Sequence, residues 1–393
     1  MITETFEVVV VGGGPAGATA ANDLAGRRRS VLLLDRDGRI KPCGGAVPPR
    51  LVQDFSIPAH MLVARIAGAR MVAPSGRRVE MPINDGYVGM VDRCTFDEWL
   101  RERARASGAE RRTGTYLGIE REPDGTARVR YSDAEGAERF VRALAVIGAD
   151  GAQSRVAHEI PDTRDPPHVA AYHEILRAPQ GATGEYDGAR CDVYYQGCIS
   201  PDFYGWVFPH GDTVSVGVGS ARKGYSLRRA VGDLRQAAGL GGQELVRREG
   251  APIPLHPRRR WDNGRDVVVV GDAAGVVAPA SGEGIYYAMA SGRHAATVVD
   301  EMLATGNGAV LAQVRKRFMR EHGRVFRVLG LMQWFWYSSD RRRERFVSIC
   351  RDRDVQELTW QAYMHKRLVR GRPLAHARIF AKDLGHLLGL VRA

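Results

Sequence analysis

The feature that most constrains the fold is a glycine-rich turn between an apolar segment and a helix-like segment near the start of the chain. Residues 6–11 (Phe-Glu-Val-Val-Val-Val) form a short apolar run that is typical of a buried parallel strand. A Gly-Gly-Gly-Pro-Ala-Gly segment follows at 12–17, then a helix-like stretch at 18–24 and a second apolar run at 30–34 that Asp35 closes. This succession predicts a Rossmann-like nucleotide-binding unit.

The residue types in this turn indicate how a nucleotide is held. Gly12 allows a tight turn, Gly14 lets the backbone approach a pyrophosphate, and Gly17 allows close packing of helix on strand, so that the first helical amides, near Ala16, face the phosphates. Asp35 lies where a carboxylate accepts hydrogen bonds from an adenosine ribose, which favours FAD or NAD over NADP. A glycine-rich turn without a ligand is the alternative.

The end of the first helix departs from the usual pattern. Arg27-Arg28-Arg29 occupy the place where a helix-ending glycine is common, a few residues before the second strand. Gly26 is therefore expected to end the helix early.

The rest of the chain predicts a nucleotide-binding domain that another domain interrupts. Short alternating strands such as 128–131 follow residue 50. Residues 213–219 have the pattern of a strand whose glycines allow another part of the chain to pack closely against it. A second buried-strand signature at 266–270 runs into Gly271-Asp272, and helical periods dominate from about residue 284. Because the nucleotide-type strands lie far apart in sequence, the domain between them is predicted to be an insertion.

Further motifs lie beyond the first turn, namely the segment Gly148–Arg155, which contains Asp150-Gly151, the pair Gly271-Asp272, and Val91-Asp92-Arg93 ahead of Phe96-Asp97. Together with the first turn they resemble the motifs of the para-hydroxybenzoate-hydroxylase-type flavoproteins. The resemblance implies tightly bound FAD, with Asp272 on the ribityl chain and Arg93 against the cofactor. It also implies that Asp150-Gly151 lies near the pyrophosphate, and that the helix after Gly282-Glu283-Gly284 directs its positive end at the isoalloxazine. The cofactor-binding set expected in full is Gly12, Gly14, Ala16, Gly17, Asp35, Arg36, Cys43, Gly44, Gly45, Arg93, Asp150, Gly151, Gly271, Asp272, Gly282, Gly284 and Ile285.

A more specific resemblance covers nearly the whole chain. Lys-Pro-Cys-Gly-Gly at 41–45, Tyr-Gly-Trp-Val-Phe-Pro at 204–209 and Pro-Ala-Ser-Gly-Glu-Gly-Ile at 279–285 are similar to segments of the geranylgeranyl reductase family, and the run 38–50 resembles its photosynthetic branch. The resemblance implies reduction of three isolated double bonds of a geranylgeranyl chain to give phytyl in bacteriochlorophyll biosynthesis. The chain would be the free diphosphate or the pigment ester. NADPH would be a transient reductant that docks near Asp150 and Arg155.

For each candidate catalytic or substrate-binding residue there is an alternative interpretation. Cys43 lies in a loop able to reach the flavin and is a candidate proton donor, against ordered water, Tyr204 or a purely structural role for the thiol. Tyr204, with Trp206 and Phe208 as substrate-binding residues, is expected to place three aromatic rings on one strand face, lining a prenyl tunnel or filling a core. His210 is expected to be a loop histidine. Cys191 and Cys198 do not suit a metal site, and no metal is predicted.

Composition and charge limit the partners. With 44% hydrophobic and 26% charged residues the chain is not disordered. Five scattered cysteines fit a reducing cytoplasm, and no apolar run is long enough to span a membrane. The whole net charge of +12 comes from residues 311–393, which hold 19 Lys and Arg against 7 Asp and Glu.

That basic region contains an aromatic, apolar segment at 329–337, which is followed by Asp340-Arg341-Arg342-Arg343. The combination predicts peripheral contact with an anionic membrane. The alternatives are a wall of the substrate cavity, whose arginines meet a diphosphate or a pigment propionate, and a helical cap on the core. A nucleic-acid partner is not expected, because no nucleic-acid-binding module accompanies the charge.

The sequence thus predicts an α/β fold with a Rossmann-like FAD-binding domain, an inserted mixed-sheet substrate domain and a helical C-terminal region. The expected bounds are 1–50, 88–160 and 262–310 for the FAD-binding domain, 51–87 and 161–261 for the substrate-binding domain, and 311–393 for the basic helical region. The expected location is cytoplasmic, with possible attachment to a photosynthetic membrane. Two alternative functions share the fold, namely an aromatic-ring monooxygenase and a prenyl-binding escort that has lost its flavin.

Overall fold

A computed structural model describes residues 4–36, 40–41, 43–161, 164–180 and 185–366. Its strands are β1 (Thr5–Val11), β2 (Val31–Asp35), β3 (Ala46–Val47), β4 (Ala64–Ile66), β5 (Gly68–Val72), β6 (Arg78–Pro82), β7 (Val88–Met90), β8 (Glu110–Arg121), β9 (Ala127–Asp133), β10 (Glu138–Gly148), β11 (His168–Arg177), β12 (Arg190–Tyr194), β13 (Gly205–His210), β14 (Thr213–Ser220), β15 (Leu245–Pro254) and β16 (Val267–Val269). The α-helices are α1 (Pro15–Ala25), α2 (Pro49–Asp54), α3 (Arg93–Ala106), α4 (Leu227–Ala237), α5 (Ile285–Thr305), α6 (Ala312–Trp336), α7 (Asp340–Ile349) and α8 (Arg353–His365). Short 3₁₀ helices span Ala59–Met61, Val156–Glu159, Gly271–Ala274 and Gly308–Leu311.

The chain forms two compact units, each made of three separate segments. Unit 1 comprises Met1–Ile40, Cys94–His168 and Pro252–Gly323, and unit 2 comprises Lys41–Arg93, Val169–Ala251 and Arg324–Ala393. The domain bounds given above stay a prediction.

Unit 1 has the Rossmann-like architecture that the glycine-rich turn predicts. Strands β16, β10, β1, β2 and β8 pair in parallel in that order, and β9 pairs antiparallel with both β8 and β10. The valines and leucines of β1 and β2 are buried because helices cover this type of sheet on both faces. The prediction of an α/β fold with a Rossmann-like domain is confirmed.

The first helix ends differently from the usual pattern, as Arg27-Arg28-Arg29 suggested. Gly26 is the residue at which α1 ends, but its φ of −60° is helical, and the left-handed residue is Arg28, with φ of 64°. Arg27 and Arg29 both form ion pairs with Asp300 of α5, at 3.1 Å and 2.7 Å. The three arginines therefore turn the chain and tie it to a neighbouring helix.

Unit 2 is built on a seven-stranded mixed sheet of order β15-β11-β14-β13-β12-β5-β6 and a three-stranded sheet of order β3-β7-β4. Strands β5 and β12 are parallel, and β13 is antiparallel to both β12 and β14. One face of the larger sheet packs valines of β13 and β14 against Val231 and Leu234 of α4. Because side chains alternate along a strand, Trp206 and Phe208 of β13 lie on the opposite face.

The C-terminal region is helical as predicted as far as the structure describes it, to residue 366, but its arginines do not act alike. Arg343 is buried, and its guanidinium donates to Asp340 and to the carbonyl oxygens of Pro201 and Tyr337. The alternative in which the arginines of this cluster meet a diphosphate or a pigment propionate therefore does not hold for Arg343. None of the helices in the described part of the chain is long and apolar enough to cross a membrane. Residues 367–393 lie outside the described residues.

Candidate active site

Gly12 and Gly17 of the first turn in unit 1 are required by sterics. Gly12 has φ of +104°, and a Cβ there would lie 2.4 Å from the carbonyl oxygen of Ala149 on the adjacent strand end. A Cβ on Gly17 would lie 1.8 Å from the carbonyl oxygen of Gly12. On Gly14, by contrast, it would meet no atom of the described residues within 4 Å, so this side of the turn is open for a ligand.

Two helices of unit 1 begin at glycines, so the N-cap residue has no side chain to cap the helix. Gly14 precedes α1 and Gly284 precedes α5. An uncapped helix N-terminus presents amide hydrogens and the positive end of the helix dipole to an anion. Both N-termini therefore suit the negatively charged parts of a dinucleotide.

Asp272 lies beside the second of these helix N-termini. It is buried within the 3₁₀ turn Gly271–Ala274, and a Cβ on Gly284 would lie 3.8 Å from its Oδ1. The turn is fixed by the amide of Gly271, which donates to Ser291 Oγ at 2.9 Å. A Cβ on Gly271, which has φ of +60°, would lie 2.8 Å from the Cβ of Ala16 at the start of α1. The loop ahead of α5 reverses at Gly282 (φ +65°), and Ile285 is buried.

The carboxylate of Asp35 is held beside the glycine-rich turn. Burial raises the pKa of Asp35 above its ordinary value, although the amides of Gly13 and Arg36 and the guanidinium of Arg101 oppose the rise. The Arg101 guanidinium lies 3.3 Å from Asp35 Oδ2 and 3.4 Å from the Gly13 carbonyl oxygen. A partly desolvated carboxylate is stabilised by further hydrogen-bond donors, and the hydroxyls of a ribose are such donors.

The backbone of Asp150 lies next to Gly12, whereas its side chain forms hydrogen bonds with the residues that follow it in sequence. A Cβ on Gly12 would lie 2.9 Å from the Asp150 amide nitrogen, so the Asp150-Gly151 backbone borders the turn. The carboxylate accepts hydrogen bonds from Ser154 Oγ at 2.5 Å and from the amides of Arg155 and Val156 at 2.7 Å and 3.2 Å. It therefore orders the following 3₁₀ helix, and Arg155 remains exposed.

Unit 2 holds a recess into which charged and sulfur-containing side chains converge. Its lining consists of Lys41, Cys43, Val91, Asp92, Arg93, His173, Ile175, His210, Thr213, Arg247 and Glu249. Cys43 is partly buried, and its Sγ accepts a hydrogen bond from the Gly45 amide at 3.4 Å. Pro42 lies outside the described residues, as do Gly38 and Arg39 of the photosynthetic-type run.

The loop that carries Cys43 packs on β13. A Cβ on Gly44 would lie 2.9 Å from the ring of Phe208, and a Cβ on Gly45, with φ of +69°, would lie 2.5 Å from His210 Nε2. Only glycines allow this approach, so the two segments at 41–45 and 204–209 are brought together by the structure.

His210 is the last residue of β13 rather than a loop residue. Its Nδ1 donates to the Phe208 carbonyl oxygen at 2.9 Å, and burial lowers the pKa of its imidazole to about 4. His210 is therefore neutral near pH 7 and is a poor proton donor.

The rings of Tyr204, Trp206 and Phe208 form a continuous row, the aromatic surface of β13, in which Tyr204 and Trp206 are buried. The ring centroids of Trp206 and Phe208 are 6.4 Å apart, and those of Tyr204 and Trp206 are 6.1 Å apart, although Tyr204 precedes the strand. The Trp206 indole lies against Gly217, where a Cβ would come within 2.1 Å of the ring. The sequence prediction that a glycine of 213–219 allows close packing is thus confirmed.

Sequence reasoning missed several residues of these sites. Arg101 of α3 meets Asp35 of β2 only after the chain has folded, and no local motif marks it. No local motif marks the second group either, whose members come from three different strands and meet one another only in the folded chain: His173, Ser215, Arg247 and Glu249. The motif that contains Arg93 indicates no role for its neighbour Asp92.

Comparison with known proteins identifies the family. Residues 10–62 match the NAD(P)-binding Rossmann-like domain, residues 64–177 the FAD binding domain, and residues 223–375 the lycopene cyclase protein family. A geranylgeranyl diphosphate reductase of Rhodobacter capsulatus is 56% identical over 98% of this chain and 98% of its own. The chain belongs to the geranylgeranyl diphosphate reductase family.

Other members and a solved structure agree with this assignment. The chloroplastic geranylgeranyl diphosphate reductase of Oryza sativa is 37% identical, over 98% of this chain and 86% of its own. A crystal structure of a geranylgeranyl bacteriochlorophyll reductase-like protein from Thermoplasma acidophilum shares the fold, with a TM-score of 0.80 and 22% identity over 95% of this chain and 99% of that one. The predictions of the family and of an FAD-dependent oxidoreductase are therefore confirmed.

Proposed function

We propose that this geranylgeranyl diphosphate reductase family member reduces isolated double bonds of a geranylgeranyl chain to phytyl, with electrons that NADPH passes to FAD, in bacteriochlorophyll biosynthesis. The names of its relatives support the prenyl substrate. The observation in this chain that carries the proposal is the packing of the Cys43-Gly44-Gly45 loop on the aromatic strand β13. It places a thiol and a surface of large apolar rings in one unit.

The residues of unit 1 fit FAD. The open side of Gly14 and the uncapped start of α1 suit the pyrophosphate, Asp35 suits the adenosine ribose, and Asp272 beside the start of α5 suits the ribityl chain. Once bound and reduced, FAD would supply hydride, and the positive end of α5 would favour negative charge beside the start of that helix. We place NADPH transiently near the exposed side chain of Arg155, because this cation suits the 2′-phosphate of NADPH.

The residues of unit 2 would receive the prenyl chain and supply a proton. Trp206 and Phe208 offer an apolar surface, which excludes water from the alkene. An unactivated alkene is a poor base, so the carbon that does not receive hydride needs a well-placed acid. Cys43 is the group we assign to this role, because His210 is neutral and Tyr204 lies outside the strand.

An anaerobic incubation with NADPH tests this proposal directly. Geranylgeranyl diphosphate and geranylgeranylated bacteriochlorophyll are offered separately, and the prenyl chain is followed by mass spectrometry. We expect up to three successive gains of two hydrogens on at least one of the substrates. FAD reduction without any prenyl reduction would instead favour an aromatic-ring monooxygenase, and substrate-coupled oxygen uptake would support that. A flavin left oxidised would indicate another electron donor.

We also propose that helix α6 attaches the protein to the surface of an anionic, photosynthetic membrane on its cytoplasmic side. Val328, Leu331 and Trp334 follow one another at three-residue spacing and are 40%, 63% and 71% exposed. Exposed Arg324 and Arg327 precede them on the same helix. Large apolar side chains beside arginines suit a lipid interface, and a substrate that is itself lipid-soluble would be met there.

Replacing Leu331 and Trp334 together by serine should lower binding to vesicles that contain anionic lipid by at least about tenfold, since each buried apolar side chain contributes roughly 1.5–3 kcal/mol. The measurement is co-sedimentation with the vesicles. The matched control replaces Leu144 and Val246, which are 49% and 42% exposed, and should bind like the unmodified protein. Equal sedimentation of all three proteins would refute the attachment.

A further inference from the structure

A chain of side-chain hydrogen bonds runs from the rim of the unit 2 recess to the aromatic surface of β13. It begins at a charged rim, which consists of Asp92, Arg247 and Glu249. Arg247 donates to Asp92 Oδ2 at 2.8 Å and to Glu249 Oε1 at 2.7 Å. Exposure falls along the rim, from 29% and 25% for the Arg247 and Asp92 side chains to 10% for Glu249.

The chain continues inward through His173 of β11. Its Nε2 lies 2.7 Å from Glu249 Oε2 and its Nδ1 lies 2.9 Å from Ser215 Oγ on β14. The indole nitrogen of Trp206 on β13 lies 3.1 Å from the same Ser215 Oγ. His173 and Ser215 are fully buried, so neither is solvated by bulk water.

Two groups of known role set the direction of the bonds. The Trp206 indole N–H can only donate, so Ser215 Oγ accepts from it, and the Glu249 carboxylate can only accept, so His173 Nε2 donates to it. The Ser215 hydroxyl keeps its own hydrogen and donates it to His173 Nδ1. Both oxygens of the Glu249 carboxylate accept hydrogen bonds, Oε1 from the Arg247 guanidinium and Oε2 from His173.

The other forms of the ring fit less well. With the proton on Nδ1 alone, the lone pair of Nε2 would face a carboxylate oxygen at 2.7 Å. With protons on both nitrogens, two N–H groups would point at Ser215 Oγ and its hydroxyl would have to turn away from the ring. The Nε2–H form pairs every group in the chain.

We propose that His173, in its Nε2–H form, is a positioning residue that holds the Trp206 indole through Ser215 and so shapes the surface that receives the prenyl chain. This inference rests on the proposed function. The geometry supports it from both sides of the indole, because one face packs against Gly217 and the N–H is fixed by Ser215. Because the charged rim orients Glu249, and Glu249 orients the imidazole, the position of Trp206 depends on residues far from it in sequence.

The experiment uses the FAD-loaded protein labelled with ¹⁵N in the indole groups of its six tryptophans. The Trp206 resonance is assigned as the one missing in Trp206→Phe. In Ser215→Ala we expect its indole proton to move upfield, because its hydrogen bond is lost. The KM for geranylgeranyl diphosphate should rise about tenfold, as expected for one buried hydrogen bond, while kcat stays within about twofold.

Two variants at His173 separate positioning from simple stability. His173→Leu should change both quantities in the same directions but less, because Ser215 Oγ can still accept from the indole while its hydroxyl has lost the partner that orients it. His173→Gln should recover part of each, because its amide offers an N–H to Glu249 and an oxygen to Ser215. The matched control is Ser220→Ala, on the same strand, whose hydroxyl bonds Asp202 at 2.6 Å and which should change neither quantity.

The outcomes distinguish this inference from the function on which it rests. An unchanged Trp206 resonance or an unchanged KM in Ser215→Ala would overturn the role of His173. If the unmodified protein reduces no prenyl chain, the proposed function fails, whereas the resonance still reports whether the hydrogen-bond chain positions Trp206.

Discussion

The Asp272→Ala protein is expected to fold and to purify without the yellow colour of bound FAD. The Asp272 carboxylate is buried beside the uncapped start of α5, and we assign it to the ribityl hydroxyls of the cofactor. Replacing it by alanine removes several charge-assisted hydrogen bonds, each worth about 1.5–3 kcal/mol, which corresponds to a loss of at least about a hundredfold in affinity. The measurement is the ratio of flavin to protein absorbance after gel filtration.

The control for this loss is Asp262→Ala in the same unit. Asp262 is as buried as Asp272 and accepts a hydrogen bond from the Gly264 amide at 2.9 Å, but we assign it no contact with the cofactor. It should lower the melting temperature and keep its FAD. Full FAD occupancy in the folded Asp272→Ala protein would refute the ribityl assignment.

The local features of the nucleotide-binding unit could be predicted from the sequence because adjacent residues determine them. Gly12, Gly14 and Gly17 lie within one turn, so their sterics follow from the strand and the helix that flank them. The end of α1 was harder to predict from the sequence. Arg28 adopts a left-handed conformation that glycine usually takes, and its neighbours are compensated by Asp300, more than 270 residues away.

The contacts between distant strands could not be predicted, because residues adjacent in sequence do not determine them. The bond between His173 and Ser215 depends on the register of β11 against β14, and the bond to Glu249 depends on the placement of β15. A polar residue within an apolar strand does not reveal its partner. Arg343 is a case in which a local pattern misleads. A run of like charges predicts exposed side chains, but the structure buries this member of the run.

The Cys43→Ser protein should keep its FAD and lose at least about a hundredfold in the rate of prenyl reduction. A serine hydroxyl can still accept the hydrogen bond of the Gly45 amide, so the loop should keep its shape. An alcohol is a much weaker acid than a thiol, and positioned acids contribute about 10²–10⁴-fold to such reactions. The measurement is an anaerobic single turnover with reduced protein and geranylgeranyl diphosphate, analysed by mass spectrometry.

The design separates proton donation from the other steps. The rate at which NADPH reduces the FAD should be unchanged in Cys43→Ser, because we place that step near Arg155 in unit 1. Cys198→Ser, which alters an exposed cysteine of the same unit, should behave like the unmodified protein in both measurements. If Cys43→Ser reduces the prenyl chain at the unmodified rate, the thiol does not supply the proton. Because His210 is neutral, an ordered water molecule or Tyr204 would then be the next candidate.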